Sequence, residues 1–319
     1  MISEAEIFLP ETLAAYYNDI RHVTLPNGLK MEYALHGASD APEKVVLIMG
    51  LMADKEAWLA LIATLLDPSN KCSTQCQFVS FDNRGIGGTD KPSELYTTTQ
   101  MAQDTLQLMD HLGWQKAHII GISMGGMISQ ELAATATERV KSLALLVTTP
   151  GFVQGATPGL AQLGGYLELT KNLFSRKRHH IAKKMLYVLY TDKYLEEPSD
   201  IEGVTRGNRL YNYHFQRLAH SRTSPAGMYG QYSAVLRHHV FAKRLLRIRK
   251  AGFPILVVGA KYDRLLHPNN SKVLYQLLKG PNTRSIYFED AAHGLYVEKR
   301  LEMASAIESH LLQLQPSRL

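Results

Sequence analysis

The sequence predicts an α/β protein: a mostly parallel sheet, helices on both of its faces, and a helical segment inserted between two of its strands. Three observations predict it. Short continuous apolar runs recur, each bounded by turn residues, as strands buried on both faces require. Helical patterns alternate with these runs as far as residue 150. From 151 to 250 the strands stop, and they return at Pro254.

Taken in order, residues 20–36 read as a hairpin. His22-Val23-Thr24-Leu25 leads to a Pro26-Asn27-Gly28 turn, and Lys30–Leu35 follows in alternation. Lys44–Met49 is a buried strand that ends at Gly50-Leu51-Met52, before a helical pattern through Trp58, Leu61, Ile62 and Leu65. Gln77–Phe81 is the next strand, closed by Asp82-Asn83-Arg84-Gly85. A helix from Thr98 to Leu112 stops at Gly113, a C′ residue by position. The strand at Ala117–Ile122 and a helix to Thr137 come next, then a strand over Val140–Val147. After the insertion, strands at 254–259 and 283–288 alternate with helices at 270–279 and 298–314. The core is therefore expected from 1–150 and 251–319, with 151–250 as the insertion.

Composition limits the function classes. In 319 residues, 45% hydrophobic and 20% charged content is ordinary for a soluble globular chain. No apolar run approaches the roughly 18 residues of a membrane span. The acidic start, Met1-Ile2-Ser3-Glu4-Ala5-Glu6, lacks the basic region of a signal peptide. Cys72 and Cys76 are the only cysteines, too few for a zinc site; they read as two reduced thiols, with a disulfide as the alternative. The net charge of +6 is uneven: residues 151–250 hold 17 Lys and Arg against 6 Asp and Glu.

The chemistry is carried by Gly121-Ile122-Ser123-Met124-Gly125. The pattern is informative because an apolar strand precedes it and an amphipathic helix follows. On such a turn the Ser123 hydroxyl is pushed out at the C-terminal edge of the sheet, facing the positive end of the helix. A serine needs a base to take its proton and an acid to orient that base. Asp263 follows the strand Val257-Val258-Gly259, and His293 follows Tyr287-Phe288. The order Ser, Asp, His is the one this strand–turn–helix architecture uses. Glu289 and Asp290 compete with Asp263, but they lie on the histidine's own loop. The backbone N–H groups of Met124 and Leu51 are the candidate oxyanion donors.

With these residues in place, the chain resembles the α/β-hydrolase superfamily over 20–150 and 251–315. Leu47-Ile48-Met49-Gly50-Leu51, Phe81-Asp82-Asn83-Arg84-Gly85, Gly121 to Ile128 and Asp290-Ala291-Ala292-His293-Gly294 are similar to its small-molecule esterase and lipase branch, which includes aclacinomycin methylesterase-like enzymes. The resemblance implies an eight-stranded, mostly parallel sheet, a helical cap at 151–250 over Ser123, and an esterase-type reaction with no metal and no organic cofactor. It also implies that Asp82 and Arg84 are structural, tying a loop beneath the site. Met49 departs from the His that many relatives carry before that glycine, which alters the loop's hydrogen bonding but keeps the backbone donor. Siblings that act on halides and epoxides use Asp at the nucleophile position, and Ser123 excludes them.

The expected reaction is cleavage of a small-molecule carboxylic ester through an acyl-enzyme on Ser123. A lipase, an acyl thioesterase and a carbon–carbon bond hydrolase use the same triad, and a ligand-binding receptor on the same fold is the rival from another class. Basic runs at Lys171–Lys184 and Arg237–Lys250 read either as solvated helix faces or as a patch for an anionic substrate or lipid surface. No recognisable fold or aromatic platform for nucleic acid accompanies them. The final Ser317-Arg318-Leu319 is a close variant of the peroxisomal Ser-Lys-Leu address, so an import receptor is an expected partner and the peroxisome the expected location, with the cytoplasm as the alternative.

Overall fold

The structure, a computed structural model, describes residues 2–174, 177–220 and 222–313; for 170–174 only the backbone is described. The Ser317-Arg318-Leu319 tripeptide and part of the basic run beginning at Lys171 lie outside the described residues. Eight strands form one sheet: β1 Ile20–Thr24, β2 Lys30–His36, β3 Glu43–Ile48, β4 Cys76–Phe81, β5 Ala117–Ile122, β6 Val140–Leu146, β7 Ile255–Ala260 and β8 Thr283–Phe288. Their order is β1-β2-β4-β3-β5-β6-β7-β8. β1 and β2 pair antiparallel, as do β2 and β4; every other pairing is parallel. Every residue of β4, β5 and β7 is buried, which explains their unbroken apolar runs. β1, at an edge, is mostly exposed.

Helices cover both faces. α1 Glu4–Ile7, α2 Pro10–Tyr16, α3 Leu59–Leu65 and α4 Cys72–Gln75 precede β4; α5 Thr98–His111 and α6 Met124–Thr135 flank β5. The segment between β6 and β7 holds α7 Leu160–Phe174, α8 Arg178–Leu189, α9 Asp192–Glu196, α10 Arg206–His220, α11 Pro225–Arg237 and α12 Ala242–Lys250. α13 Asn269–Leu278 follows β7, and α14 Leu295–Glu298 and α15 Arg300–Leu311 follow β8. Successive strand residues feed opposite cores, as the two-residue period demands. Ile120, Leu146 and Val258 pack with α3 and α15, while Ile119, Leu145 and Val257 pack with α5, α6, α12 and α13.

Several expectations hold at residue level. α5 ends at Leu112, with Gly113 left-handed at φ +70°. Gly113 N–H donates to Asp110 O at 3.0 Å and Trp114 N–H to Met109 O at 2.9 Å, the paired bonds that close a helix through a C′ glycine. Cys72 and Cys76 are buried free thiols, not a disulfide; their mutual hydrogen bond and then burial push the Cys72 thiol pKa up. Two boundaries differ. The last helix breaks at Lys299 (φ −118°, ψ 40°) into α14 and α15. The insertion, expected to run to 250, contains a helix that belongs to the sheet layer: α12 buries Leu245 and Ile248 in the second core, and Arg244 donates to both carboxylate oxygens of Glu131 on α6 at 2.8 Å. Its five cations made that helix read as part of the basic insertion, whereas they line only its outer side and flank.

Four of the buried histidines are held far below the usual imidazole range. Burial, the first cause in each, lowers His36 to about 4 and His214, His238 and His310 to about 3. An unfolded histidine takes its proton near pH 6.5. Below that pH the unfolded chain binds protons that the fold refuses, so stability present above about pH 6.5 is lost as the pH falls towards 4 and then 3. Each histidine contributes up to about 1.4 kcal/mol per pH unit to this decline. We expect calorimetry to give a clearly lower Tm at pH 5 than at pH 7; an unchanged or higher Tm at pH 5 would contradict it.

Candidate active site

From β3, the first strand of the parallel part, the chain steps to β4 on one side and then crosses back to β5 on the other. Such a reversal leaves a crevice at the C-terminal strand ends. Ser123 sits there, at the turn from β5 into α6. Its backbone is at φ 56°, ψ −120°, a region that costs a non-glycine residue about 1–3 kcal/mol. The end of β6 holds it: Ser123 N–H donates to Leu146 O at 2.9 Å, and Thr148 Oγ1 donates to Ser123 O at 2.7 Å. The turn is tight enough to need its glycines. A Cβ on Gly121 would lie 2.3 Å from Gly125 O, and one on Gly125 1.9 Å from Ile48 O. Ser123 is partly exposed between buried Ile122 and Met124, and its hydroxyl does not cap α6.

Met124 follows this serine directly, and Leu51 lies on the loop that passes beside it. The Met124 N–H opens α6, where first-turn amides have no intrahelical acceptor and the helix dipole is positive. The loop after β3 runs alongside: a Cβ on Gly50 would lie 3.2 Å from Ser123 Cβ and 3.7 Å from its Oγ. Side chains from elsewhere pin that loop. Asn83 Nδ2 donates to Met49 O at 3.0 Å, and Met52, left-handed at φ 57°, donates its N–H to Gln231 Oε1 at 2.8 Å. Gln231, fully buried on α11, also donates Nε2 to Arg84 O at 3.0 Å.

Asp263 and His293 follow the adjacent strands β7 and β8 on the same edge of the sheet. His293 Nδ1 lies 2.8 Å from Asp263 Oδ2, and both side chains are buried. Asp263 Oδ1 accepts the Leu265 and Leu266 N–H groups at 2.8 Å each, which fixes the carboxylate's orientation. The competitors are engaged elsewhere: Glu289 pairs with Lys261 at 3.0 Å and Asp290 with Lys299 at 2.6 Å. The inserted helices hold both loops. Gln162 Nε2 on α7 donates to Asp263 O at 2.7 Å, and Gly294 N–H donates to Leu189 O at 2.6 Å. Glu298 accepts Ala292 N–H at 2.5 Å on one oxygen, and Thr191 N–H (2.6 Å) and Oγ1 (2.9 Å) on the other. Burial raises the Glu298 pKa, and these same bonds oppose the rise.

Asp82 and Arg84 lie beneath the loop after β3. Arg84 makes a two-bond pair with Asp104 at 2.6 and 2.8 Å. Asp82 accepts the Lys55 and Gly88 N–H groups at 2.7 and 2.8 Å. Lys55 Nζ, almost fully buried, bridges Glu32 at 2.5 Å and Asp82 at 3.1 Å. Removing that ammonium leaves two buried carboxylates without it. Lys55→Met is therefore expected to destabilise the protein by about 3–5 kcal/mol, read as a lower denaturant midpoint.

The sheet order and the serine turn define a class, and comparison agrees. A model described as alpha/beta hydrolase fold matches residues 44–300, so the chain belongs to the α/β-hydrolase fold family. The enol-lactonase of Burkholderia xenovorans LB400 superposes with a TM-score of 0.72 at 22% identity, over 92% of this chain and 100% of the other. An esterase from Thermogutta terrifontis gives 0.70 at 20% identity, over 93% and 99%. At these identities the likeness is one of fold. By sequence, a Bacillus subtilis (strain 168) protein provisionally named 2-succinyl-6-hydroxy-2,4-cyclohexadiene-1-carboxylate synthase is 33% identical over 132 residues, 41% of this chain and 45% of the relative. The match therefore spans less than half of that relative's length.

Proposed function

We propose that this protein is a serine hydrolase that cleaves a small-molecule carboxylic ester through an acyl-enzyme on Ser123. His293 Nε2 takes the Ser123 Oγ proton as Oγ attacks the ester carbonyl carbon. The resulting oxyanion accepts the N–H groups of Leu51 and Met124. Collapse breaks the ester C–O bond, and His293 gives its proton to the departing alkoxide. A water then enters, His293 takes one of its protons, and the hydroxide equivalent attacks the acyl carbon. The second collapse releases the acid and returns the proton to Ser123. Asp263 keeps the His293 proton on Nδ1 and balances the imidazolium as it forms. No step needs a metal or an organic cofactor.

The observation that carries this reading is the buried bond between His293 and Asp263, the two partners that the Ser123 motif demands from distant parts of the chain. A fluorophosphonate probe tests it. Intact protein should be modified on Ser123, and Ser123→Ala should remain unlabelled; labelling elsewhere, or none in folded protein, would overturn the assignment. A series of p-nitrophenyl esters of graded chain length, run beside acyl-CoA thioesters, then separates ester from thioester cleavage and reads acyl preference.

A further inference from the structure

α7 has two sides of opposite use. One presses on the loop that carries Asp263: Gln162 bonds to it, and a Cβ on Gly165 would lie 2.0 Å from Arg264 O. The other side faces water with leucines. Leu160, Leu163 and Leu167, at the i, i+3, i+7 spacing of one helical face, are 88%, 55% and 55% exposed. The segment leading into α7 adds exposed Phe152 and Val153. Single exposed leucines are ordinary, but a run along one helix face marks a surface that meets something apolar.

α8 lies against α7. Lys184 pairs with Glu168 at 3.5 Å, and a Cβ on Gly164 would lie 3.8 Å from the Tyr187 hydroxyl. The outer stripe of α8 is His180, Lys183 and Tyr187, all exposed, and Lys177 and Arg178 are exposed at its start. Partial desolvation, and after it the charges of His179, Lys177, Lys184 and Lys183, lower the His180 pKa. The apolar stripe therefore has a cationic border.

We propose that the outer face of the α7–α8 pair docks on a lipid bilayer carrying anionic headgroups. Leu160, Leu163 and Leu167 enter the headgroup–acyl boundary, and Lys177 and Lys183 meet the headgroups. Charge selects this occupant. A second copy would bring the same cations against themselves, whereas an anionic surface matches them. Among the described residues no helix is long and apolar enough to cross a membrane, so the attachment is peripheral. It requires no chemistry at Ser123.

Vesicle flotation of the full-length Ser123→Ala protein tests the proposal without lipid turnover. Vesicles of equal parts phosphatidylcholine and phosphatidylserine should carry the protein upward, and phosphatidylcholine vesicles should carry much less. Leu163→Asp with Leu167→Asp should weaken flotation at least about tenfold, and so should charge reversal at Lys177 and Lys183. In the Ser123 background each variant should keep the parent p-nitrophenyl acetate rate and Tm, which separates lost docking from lost folding. Absence of flotation on anionic vesicles, equal flotation on neutral ones, or flotation indifferent to the leucine changes would overturn it. So would light scattering that shows the leucines holding a dimer in protein that does not float.

Discussion

Asp263→Asn is expected to lower kcat by about 10⁴-fold while leaving KM and Tm nearly unchanged, the size of effect seen when this acid is replaced in other serine triads. The reason lies in the bonds that hold the carboxylate. Oδ1 accepts two backbone N–H groups, from Leu265 and Leu266. An asparagine must aim its one carbonyl oxygen at those donors, which turns its NH₂ towards His293 Nδ1. His293 then accepts at Nδ1 and carries its proton on Nε2, where it cannot take one from Ser123. Nitrogen chemical shifts of His293 should report that tautomer in the folded variant. A variant with full activity would remove Asp263 from the proposed mechanism; equal activity in an Asp290→Asn control is the expected contrast, since Asp290 faces Lys299 instead.

Gly125→Ala is expected to be the most damaging single methyl in the chain's motif. The added carbon would sit 1.9 Å from Ile48 O and 2.6 Å from Ile48 C, both backbone atoms at the end of a central strand. Neither atom can move without dragging β3, so the serine turn must shift away from the loop that carries Leu51. A cost of about 3 kcal/mol is expected, with loss of fluorophosphonate labelling in whatever fraction remains folded. Gly113→Ala gives the contrast: nothing lies within 4 Å of a Cβ there, so only the left-handed backbone is strained. It should cost roughly 1 kcal/mol. The pair separates crowding from conformation.

Much of the fold was legible because the sheet is parallel and buried. β4, β5 and β7 announce themselves as apolar runs, and the candidate residues Ser123, Asp263 and His293 follow β5, β7 and β8. What was not legible has physical reasons. α1 and α2 span too few turns for a helical period to register, although Ser3 and Glu6 form a capping box that a local reading could find. Gln162, Gln231 and Glu298 carry no motif, because each acts through hydrogen bonds to residues far away in the chain or around a loop. For Gln231 one signal existed: Gly227 and Gly230 precede it on α11 and allow that helix to press against Gly85 and Tyr96. The loop after β3 passes beside Ser123, but the side chains that support it could be found only in three dimensions.

The bonds that tie the insertion to the His293 loop bear on how such a chain can be rebuilt. Leu189 O, the Thr191 N–H and hydroxyl, and the Gln162 amide are all inside the insertion, yet they hold Ala292, Gly294 and Asp263 through direct or carboxylate-bridged contacts. The insertion is thus not a cassette. A chimera that exchanges it whole, to import another selectivity, would also discard part of the scaffolding of the histidine and its acid. Exchanges that keep Gln162 and the 189–191 corner, and vary what lies between that corner and α11, leave this scaffolding with its owner.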